Sequence, residues 1–178
     1  PPIRPVRSTG IRARMIGNQE PLRVLQRSLG TVLCRLCELH PMNRCAIGVD
    51  IGGSSIKSAL VDLERGSLAS ERRRVRSPAM SSIDAMYAAI ESALPEQRAG
   101  LAVGIGFPGV VKSGVVRTAA HVADAWIGHP LAKTAANRLG RKAVALNDAD
   151  AAGLAELQFG AGRDVRGTVL VMTLGTGI

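Results

Sequence analysis

The stretch CAIGVDIGGSSIKSALVDLERG, residues 45–66, constrains the fold more than any other part of the chain. Two apolar runs are separated only by Gly52-Gly53-Ser54-Ser55. Apolar runs this short read as buried strands, and a turn this tight makes them neighbours in a hairpin. The first run carries one carboxylate, Asp50, where a buried strand would otherwise have none. The turn after it is built from small residues whose bare backbone N–H groups can face anionic oxygens. This combination predicts that the turn holds a phosphate chain and that Asp50 faces the metal travelling with it.

The rest of the chain extends this hairpin. After the ERGS turn, LASERRRVRS reads as a third, more exposed strand, completing a β-meander. Ser81 or Ser82 can cap a helix running to Leu94, with Ile83, Met86, Ala89, Ile90 and Leu94 on one side and Pro95 just beyond. LAVGIGFPGVV is a strand entering a Gly/Pro loop, and VVKSGVV continues as extended chain with its own turn. PLAKTAANRLG is a helix stopped by Gly140, KAVALN a strand, and DADAAGLAELQFG a helix stopped by Gly160. GTVLVMTLGTG reads as a final strand entering a second glycine turn. Three antiparallel strands followed by β-α alternation predict an α/β fold, a mixed sheet with flanking helices. Such a glycine turn normally has structure on both sides. The chain therefore reads as the front half of a larger protein.

Residues 1–44 differ in kind. They hold eight Arg against Glu20 and Glu38, broken by Pro and Gly, and leave residues 45–178 only mildly basic within a net charge of +9. They read as an atypical leader, disordered or mis-called, with a natural start at Met42. No apolar run reaches the roughly 18–20 residues of a membrane span, and the leader has no apolar segment like that of a secretory signal. Aromatic residues are 2% of the chain, so a stacking platform for single-stranded nucleic acid is not expected. Cys34, Cys37 and His40 suggest a metal clip, but a tetrahedral zinc site needs a fourth ligand and no second pair exists. With Cys45 they read as incidental cysteines of a reducing cytoplasm.

Gly104-x-Gly106-x-x-Gly109 matches a dinucleotide fingerprint, but Pro108 and extended chain stand where the required helix would begin. No Gly-Lys-Ser/Thr occurs, which excludes a Walker A loop. Two glycine turns remain, DIGGSSIK and TLGTGI, each at a strand end. Asn147 and Asp148 also stand at a strand end and open a helix. Either is an ordinary cap, and an Asp there can also accept a proton from a substrate hydroxyl. Asp150 reads as a first-turn carboxylate favoured by the helix dipole. Arg72, Arg73, Arg74 and Arg76 read as a solvated face or a guarded sheet edge, with attraction for a polyanion as the second possibility.

Taken together, IGVDIGGSSIKSALVDL, GFPGVV, GVVRTAAHVADAW, LNDADAAGLAE and VMTLGTGI resemble, in order, the ROK family of sugar kinases and repressors, most closely its polyphosphate glucokinase branch. The resemblance covers residues 45–178. It implies an actin-like ATPase (ribonuclease H-like) domain and phosphoryl transfer from polyphosphate, ATP or both to the 6-hydroxyl of glucose, with Mg²⁺ as cofactor. Carried over residue by residue, Asp50 orients the metal through water, and Gly52, Gly53, Ser54, Ser55 and Lys57 hold the donor. Gly175, Thr176 and Gly177 form the second phosphate loop. Asn147 binds sugar, Asp148 is the base, and the loop from Phe107 to Gly109 lines the sugar side. The chain departs from the branch at Gly106, His121 and Ala123, where Thr, Asn and Asp are usual. The resemblance also implies a cytoplasmic protein, a homodimer at full length, and neither membrane nor nucleic acid as partner. The rival readings are a ROK repressor's sugar-sensing domain and a non-catalytic fragment. A repressor needs a winged helix-turn-helix, for which residues 1–44 are too short and too broken.

Overall fold

The computed structural model describes residues 44–79, 82–95, 100–118 and 123–172. Residues 1–43, with Cys34, Cys37, His40 and Met42, lie outside the described residues, as do His121 and Gly175–Gly177. The first hairpin forms as the sequence demands. Strand β1 (Cys45–Ile51) pairs antiparallel with β2 (Ser55–Asp62). Ile47, Val49 and Ile51 are buried along one face of β1, while Asp50 on the other face is exposed. Alternation of period two gives each strand these two faces.

The third strand is interrupted. Its first piece, β3 (Ser67–Leu68), and its second, β4 (Arg73–Arg76), both pair with β2 along the same edge. Between them the Ser70 hydroxyl oxygen accepts from the Leu60 N–H at 2.9 Å. A side chain thus takes the place of a ladder carbonyl, and the extra length bulges out.

Helix α1 (Ile83–Ala93) begins where Ser82 accepts from the Ala85 N–H. It buries Met86, Tyr87, Ile90 and Ala93. Tyr87 is an addition to the apolar face expected from the sequence. Strand β5 (Val103–Phe107) lies parallel to β1. Next come a small hairpin, β6 (Val111–Lys112) and β7 (Val115–Val116), and a 3₁₀ turn, Asp124–Trp126. The hairpin turns on Ser113 and Gly114, whose φ values of 52° and 75° are those of a primed turn. Helix α2 (Leu131–Leu139) ends on Gly140 at φ 60°, the left-handed cap expected there. Strand β8 (Ala143–Asn147) is parallel to β5, and α3 (Asp148–Phe159) follows without a break.

The sheet order is β3-β2-β1-β5-β8, with β4 beside β3 on β2. Its β1, β5 and β8 strands are parallel and the meander is antiparallel, which is the mixed sheet expected. Helices α1 and α2 share one face. There they pack with Ile47, Val103 and Phe107 into a single core. Trp126, Tyr87 and Phe107 are its largest fully buried side chains. Each large apolar group so buried contributes roughly 1.5–3 kcal/mol. Among the described residues, α3 is the helix that covers the opposite face.

One expected element is not observed. Residues 168–172 form no strand, and Leu170 and Met172 stand exposed. Val171 instead closes over Gly153 of α3, where an added Cβ would meet it at 3.5 Å. The apolar run follows helix α3 rather than a sheet edge.

Candidate active site

Parallel strands place their C-terminal ends together, and ligands of open α/β sheets bind there. Register defines which residues meet. Asp50 stands beside Gly106, Gly106 beside Leu146, and Phe107 beside Asn147. Asp148 begins the helix directly after Asn147. Gly106 therefore separates the two carboxylates, Asp50 and Asp148. A Cβ built on it would lie 3.7 Å from the Asp148 Cα and 3.7 Å from the Val49 carbonyl oxygen. Glycine here widens the floor between the two acids. Asp50, Lys57, Gly106 and Asp148 all line one cavity of about 600 Å³ between the sheet and α3.

The Asp50 carboxylate accepts from Lys57 Nζ at 3.1 Å, directly across the hairpin. Both side chains are about half exposed, so the pair adds little to stability. It does hold a cation and an anion side by side at the cavity mouth. Among the described residues no group of three or more His, Cys, Asp or Glu could cage a metal alone. One half-exposed carboxylate is nevertheless a fitting donor for Mg²⁺, which commonly takes one or two carboxylates and completes its shell with phosphate oxygens and water.

The Gly52–Ser55 turn is closed by the Gly52 N–H donating to the Ser55 carbonyl at 3.1 Å. A Cβ on Gly52 would stand 3.0 Å from that same oxygen, whereas one on Gly53 would meet nothing within 4 Å. Neither glycine has positive φ. Close approach and open space, rather than unusual dihedrals, are what these glycines supply. Ser54 is exposed, but Ser55 is buried at 4%. Of the two serines, Ser54 is the one presented to solvent. Ser77 ties the turn to β4: its N–H donates to the Ser54 carbonyl and its hydroxyl to the Gly52 carbonyl.

Asn147 is the cap of α3, its Oδ1 accepting from the Ala149 and Asp150 N–H groups at 2.9 and 3.1 Å. Its Nδ2 donates to the Gly109 carbonyl at 3.1 Å and more weakly toward the Phe107 carbonyl at 3.5 Å. The cap reading of Asn147 holds, and a contact absent from the sequence reading, a tether to the Phe107–Gly109 loop, is added. Asp148 Oδ1 accepts from the Ala149 N–H at 2.8 Å, and its exposed carboxylate reaches the cavity. Asp150 is in the first turn of α3.

The Phe107–Gly109 loop has a rigid backing. Phe107 is fully buried, so its ring supports the loop from behind. It lies 5.1 Å from the Trp126 ring, and Trp126 meets His129 edge-on at 5.3 Å. The Tyr87 hydroxyl donates to the Leu131 carbonyl at 3.2 Å and meets His129 Nε2 at 2.9 Å. With the tyrosine proton on the carbonyl, His129 is the donor in that second contact. Burial pushes the Tyr87 hydroxyl pKa up to about 12. Burial, then the nearby Arg138 guanidinium, push the His129 imidazole below its ordinary value. Arg138 stacks over the Tyr87 ring at 4.7 Å and pairs with Asp84. The departure at Ala123 lies at the start of the 3₁₀ turn carrying Trp126.

Among known proteins, the family model described as "ROK family" matches residues 46–178. A polyphosphate glucokinase of Mycobacterium tuberculosis is 43% identical over 136 residues, covering 76% of this chain and 51% of the relative. A glucokinase of Streptomyces coelicolor is 38% identical over 137 residues, covering 74% of this chain and 41% of the relative. Among solved structures, the inorganic polyphosphate/ATP-glucomannokinase of Arthrobacter sp. strain KM superposes with a TM-score of 0.69 at 46% identity, over 76% of this chain and 56% of that one. A Streptomyces griseus glucokinase, solved with glucose and AMPPNP, gives a TM-score of 0.56 at 36% identity, over 67% of this chain and 38% of that one. The chain spans about half the length of the curated relatives it matches.

Proposed function

The chain belongs to the ROK family, and on that premise we propose that its cleft transfers a phosphoryl group from polyphosphate or ATP to the 6-hydroxyl of glucose. The observation that carries this reading is the placement of Asp50 and Asp148 on either side of Gly106, facing one cavity. Asp148 takes the proton of the 6-hydroxyl. The freed oxygen forms a bond to the terminal phosphorus of the donor, and the bond from that phosphorus to the leaving phosphate oxygen breaks. Asn147 fixes the Phe107–Gly109 loop through the Gly109 carbonyl and keeps its second amide hydrogen weakly engaged, free to meet a sugar hydroxyl. Gly53, Ser54 and Lys57 face the donor, and Asp50 is the residue that would hold Mg²⁺. The bound ion would supply charge neutralisation on the donor phosphates.

Phosphoryl transfer asks mainly for positioning and charge stabilisation, which a rigid sheet edge can provide. The second phosphate turn, Gly175–Gly177, belongs to the same proposal and lies outside the described residues. We place the protein in the cytoplasm, where glucose meets both donors, and expect a homodimer at full family length. Among the described residues, no helix is long and apolar enough to cross a membrane.

The test is a coupled glucose-6-phosphate assay on residues 1–178 joined to the C-terminal half of the Mycobacterium tuberculosis relative. Turnover with polyphosphate or ATP is expected, and Asp148→Asn should lower it by orders of magnitude. The 178-residue chain by itself, which spans about half the length of that relative, is expected to be silent. A folded chimera that binds neither glucose nor donor overturns the reading.

A further inference from the structure

The described residues include one strongly charged patch that the proposed chemistry leaves unused. It is the edge strand β4 with the residue before it. Directly opposed residues of an antiparallel pair share a face of the sheet. Lys57 opposes Asp50 on one side and Arg74 on the other, and Ser55 opposes Arg76. Asp50, Lys57 and Arg74 are thus successive neighbours across three strands on one face, about 10 Å from first to last at ordinary strand spacing. Arg76 continues the row beside the Gly52–Ser55 turn. Arg72, two residues before Arg74, lines the same cavity as Asp50 and Lys57.

All three arginines are exposed, and none makes an ion pair among the described residues. The ladder positions of this face carry Lys57, Arg74 and Arg76 against the single carboxylate Asp50. Protection of a sheet edge explains charge on β4, since charged side chains keep edges from pairing. It does not explain why the row on this face of β4 is arginine throughout, beside the Gly52–Ser55 turn. Nor does it explain why Ser77, at the end of β4, is hydrogen-bonded to both the Gly52 and Ser54 carbonyls. Those bonds fix the arginine row to the turn.

We propose that Arg72, Arg74 and Arg76, with Lys57, form a track for the distal phosphates of a linear polyphosphate whose reacting end lies at the Gly52–Ser55 turn. The proposal rests on the kinase reading above and names the part of the donor that this chain recognises beyond the reacting end. Spacing supports it. Alternate residues of a strand repeat at about 6.8 Å, so the guanidinium groups meet an extended polyanion at regular intervals. Each guanidinium presents a planar fork of donors suited to phosphate oxygens. Charge without stacking selects the ligand class. Tyr87, Phe107 and Trp126 are buried in the core on the opposite face, and Phe159 is packed against Gly66. Phe159 lines the same cavity as Arg72, a lone ring rather than the succession of aromatics on which a single-stranded nucleic-acid surface stacks its bases.

The experiment compares binding of long-chain polyphosphate, tripolyphosphate and a single-stranded DNA oligonucleotide to the 178-residue chain by calorimetry. The variants are Arg72→Gln/Arg74→Gln/Arg76→Gln, the single Arg74→Gln, and a charge-matched control, Lys112→Gln/Lys133→Gln/Arg163→Gln. The arginine triple should bind long-chain polyphosphate at least about tenfold more weakly, the order expected for losing several charge-assisted contacts. Tripolyphosphate binding should stay within about twofold, as should long-chain binding to the control, whose exposed charges do not line the cavity. Arg74→Gln should show an intermediate loss with an unchanged melting temperature, which separates a lost contact from a lost fold. An equal loss in the control, an equal loss for tripolyphosphate, or DNA bound as tightly as polyphosphate overturns the track. Glucose phosphorylation from ATP by the chimera tests the kinase reading separately. An active chimera whose long-chain polyphosphate affinity ignores the arginines rejects the track and keeps the kinase.

Discussion

The Asn147 side-chain amide donates to the Gly109 carbonyl at 3.1 Å, joining the start of α3 to the loop after β5 across 38 residues of sequence. The same side chain caps α3 through its oxygen. One residue thus sets both the helix that carries Asp148 and the loop beside it.

This double duty makes a counterintuitive prediction. Asp and Ser cap helices about as well as Asn. Asn147→Asp nevertheless places a carboxylate oxygen against the Gly109 and Phe107 carbonyls, while Asn147→Ser merely withdraws from them. Urea unfolding should show the Asn147→Asp variant less stable than the Asn147→Ser variant, by about 1–3 kcal/mol for unpaired acceptors. Equal stabilities would reduce Asn147 to a cap alone.

Asp148→Asn in the chimera keeps shape and the contact to the Ala149 N–H but removes the proton acceptor. Turnover should fall by about 10²–10⁴, the usual worth of a positioned base. The KM for glucose should change little, because the loss falls on the transition state. Steady-state kinetics decide the matter, and an unaltered rate makes Asp148 structural.

Two glycines should respond in opposite ways. Gly53→Ala adds a methyl that meets nothing within 4 Å, so the melting temperature should hold while affinity for polyphosphate drops. Gly109→Ala drives a Cβ to 2.6 Å from the Thr118 carbonyl and should cost about 1–3 kcal/mol through overpacking. Thermal melts and calorimetry on the two variants test this contrast.

Stability should also depend on pH through the pair behind the loop. The His129 imidazole has a folded pKa below its ordinary value, so unfolded chains bind the proton first as pH falls. Its contribution is present above the ordinary imidazole value and is lost as pH falls below it, through the lowered folded value. Tyr87 is shifted upward, to about 12, so its contribution is present below the ordinary phenol value and is lost as pH rises toward 12. Urea midpoints across pH should therefore fall on both sides. His129→Asn should flatten the acid limb and Tyr87→Phe the alkaline one. Limbs unaltered by these changes would assign the pH dependence to other groups.

Much of this arrangement is legible in the chain itself. Strands β1, β2, β5 and β8, the caps at Ser82 and Asn147, and the stop at Gly140 all follow from local chemistry. Even the Asp50–Lys57 pair is implicit, since a hairpin closed at Gly52–Ser55 sets those two positions opposite each other. What escapes depends on distant partners. The break at Ser70 needs the Leu60 N–H to reveal it, and the buried Tyr87 ring needs His129 and the Leu131 carbonyl to satisfy its hydroxyl. The strand expected over residues 168–172 fails because apolar content alone does not say whether a sheet edge or a helix receives it.

The register of the sheet also dictates an order of assembly. The β1–β2–β4 meander closes through pairs near in sequence, such as Asp50 with Lys57, only seven residues apart. The parallel pairs Ile47–Val103 and Val103–Ala143 must close long loops first, at greater entropic cost. Local pairings generally form sooner than these. The Gly52–Ser55 turn and the arginine row should therefore take shape early in folding, while the two carboxylates meet only in the final parallel pairing. A polyanion present during refolding would encounter its docking strip before the catalytic cleft exists.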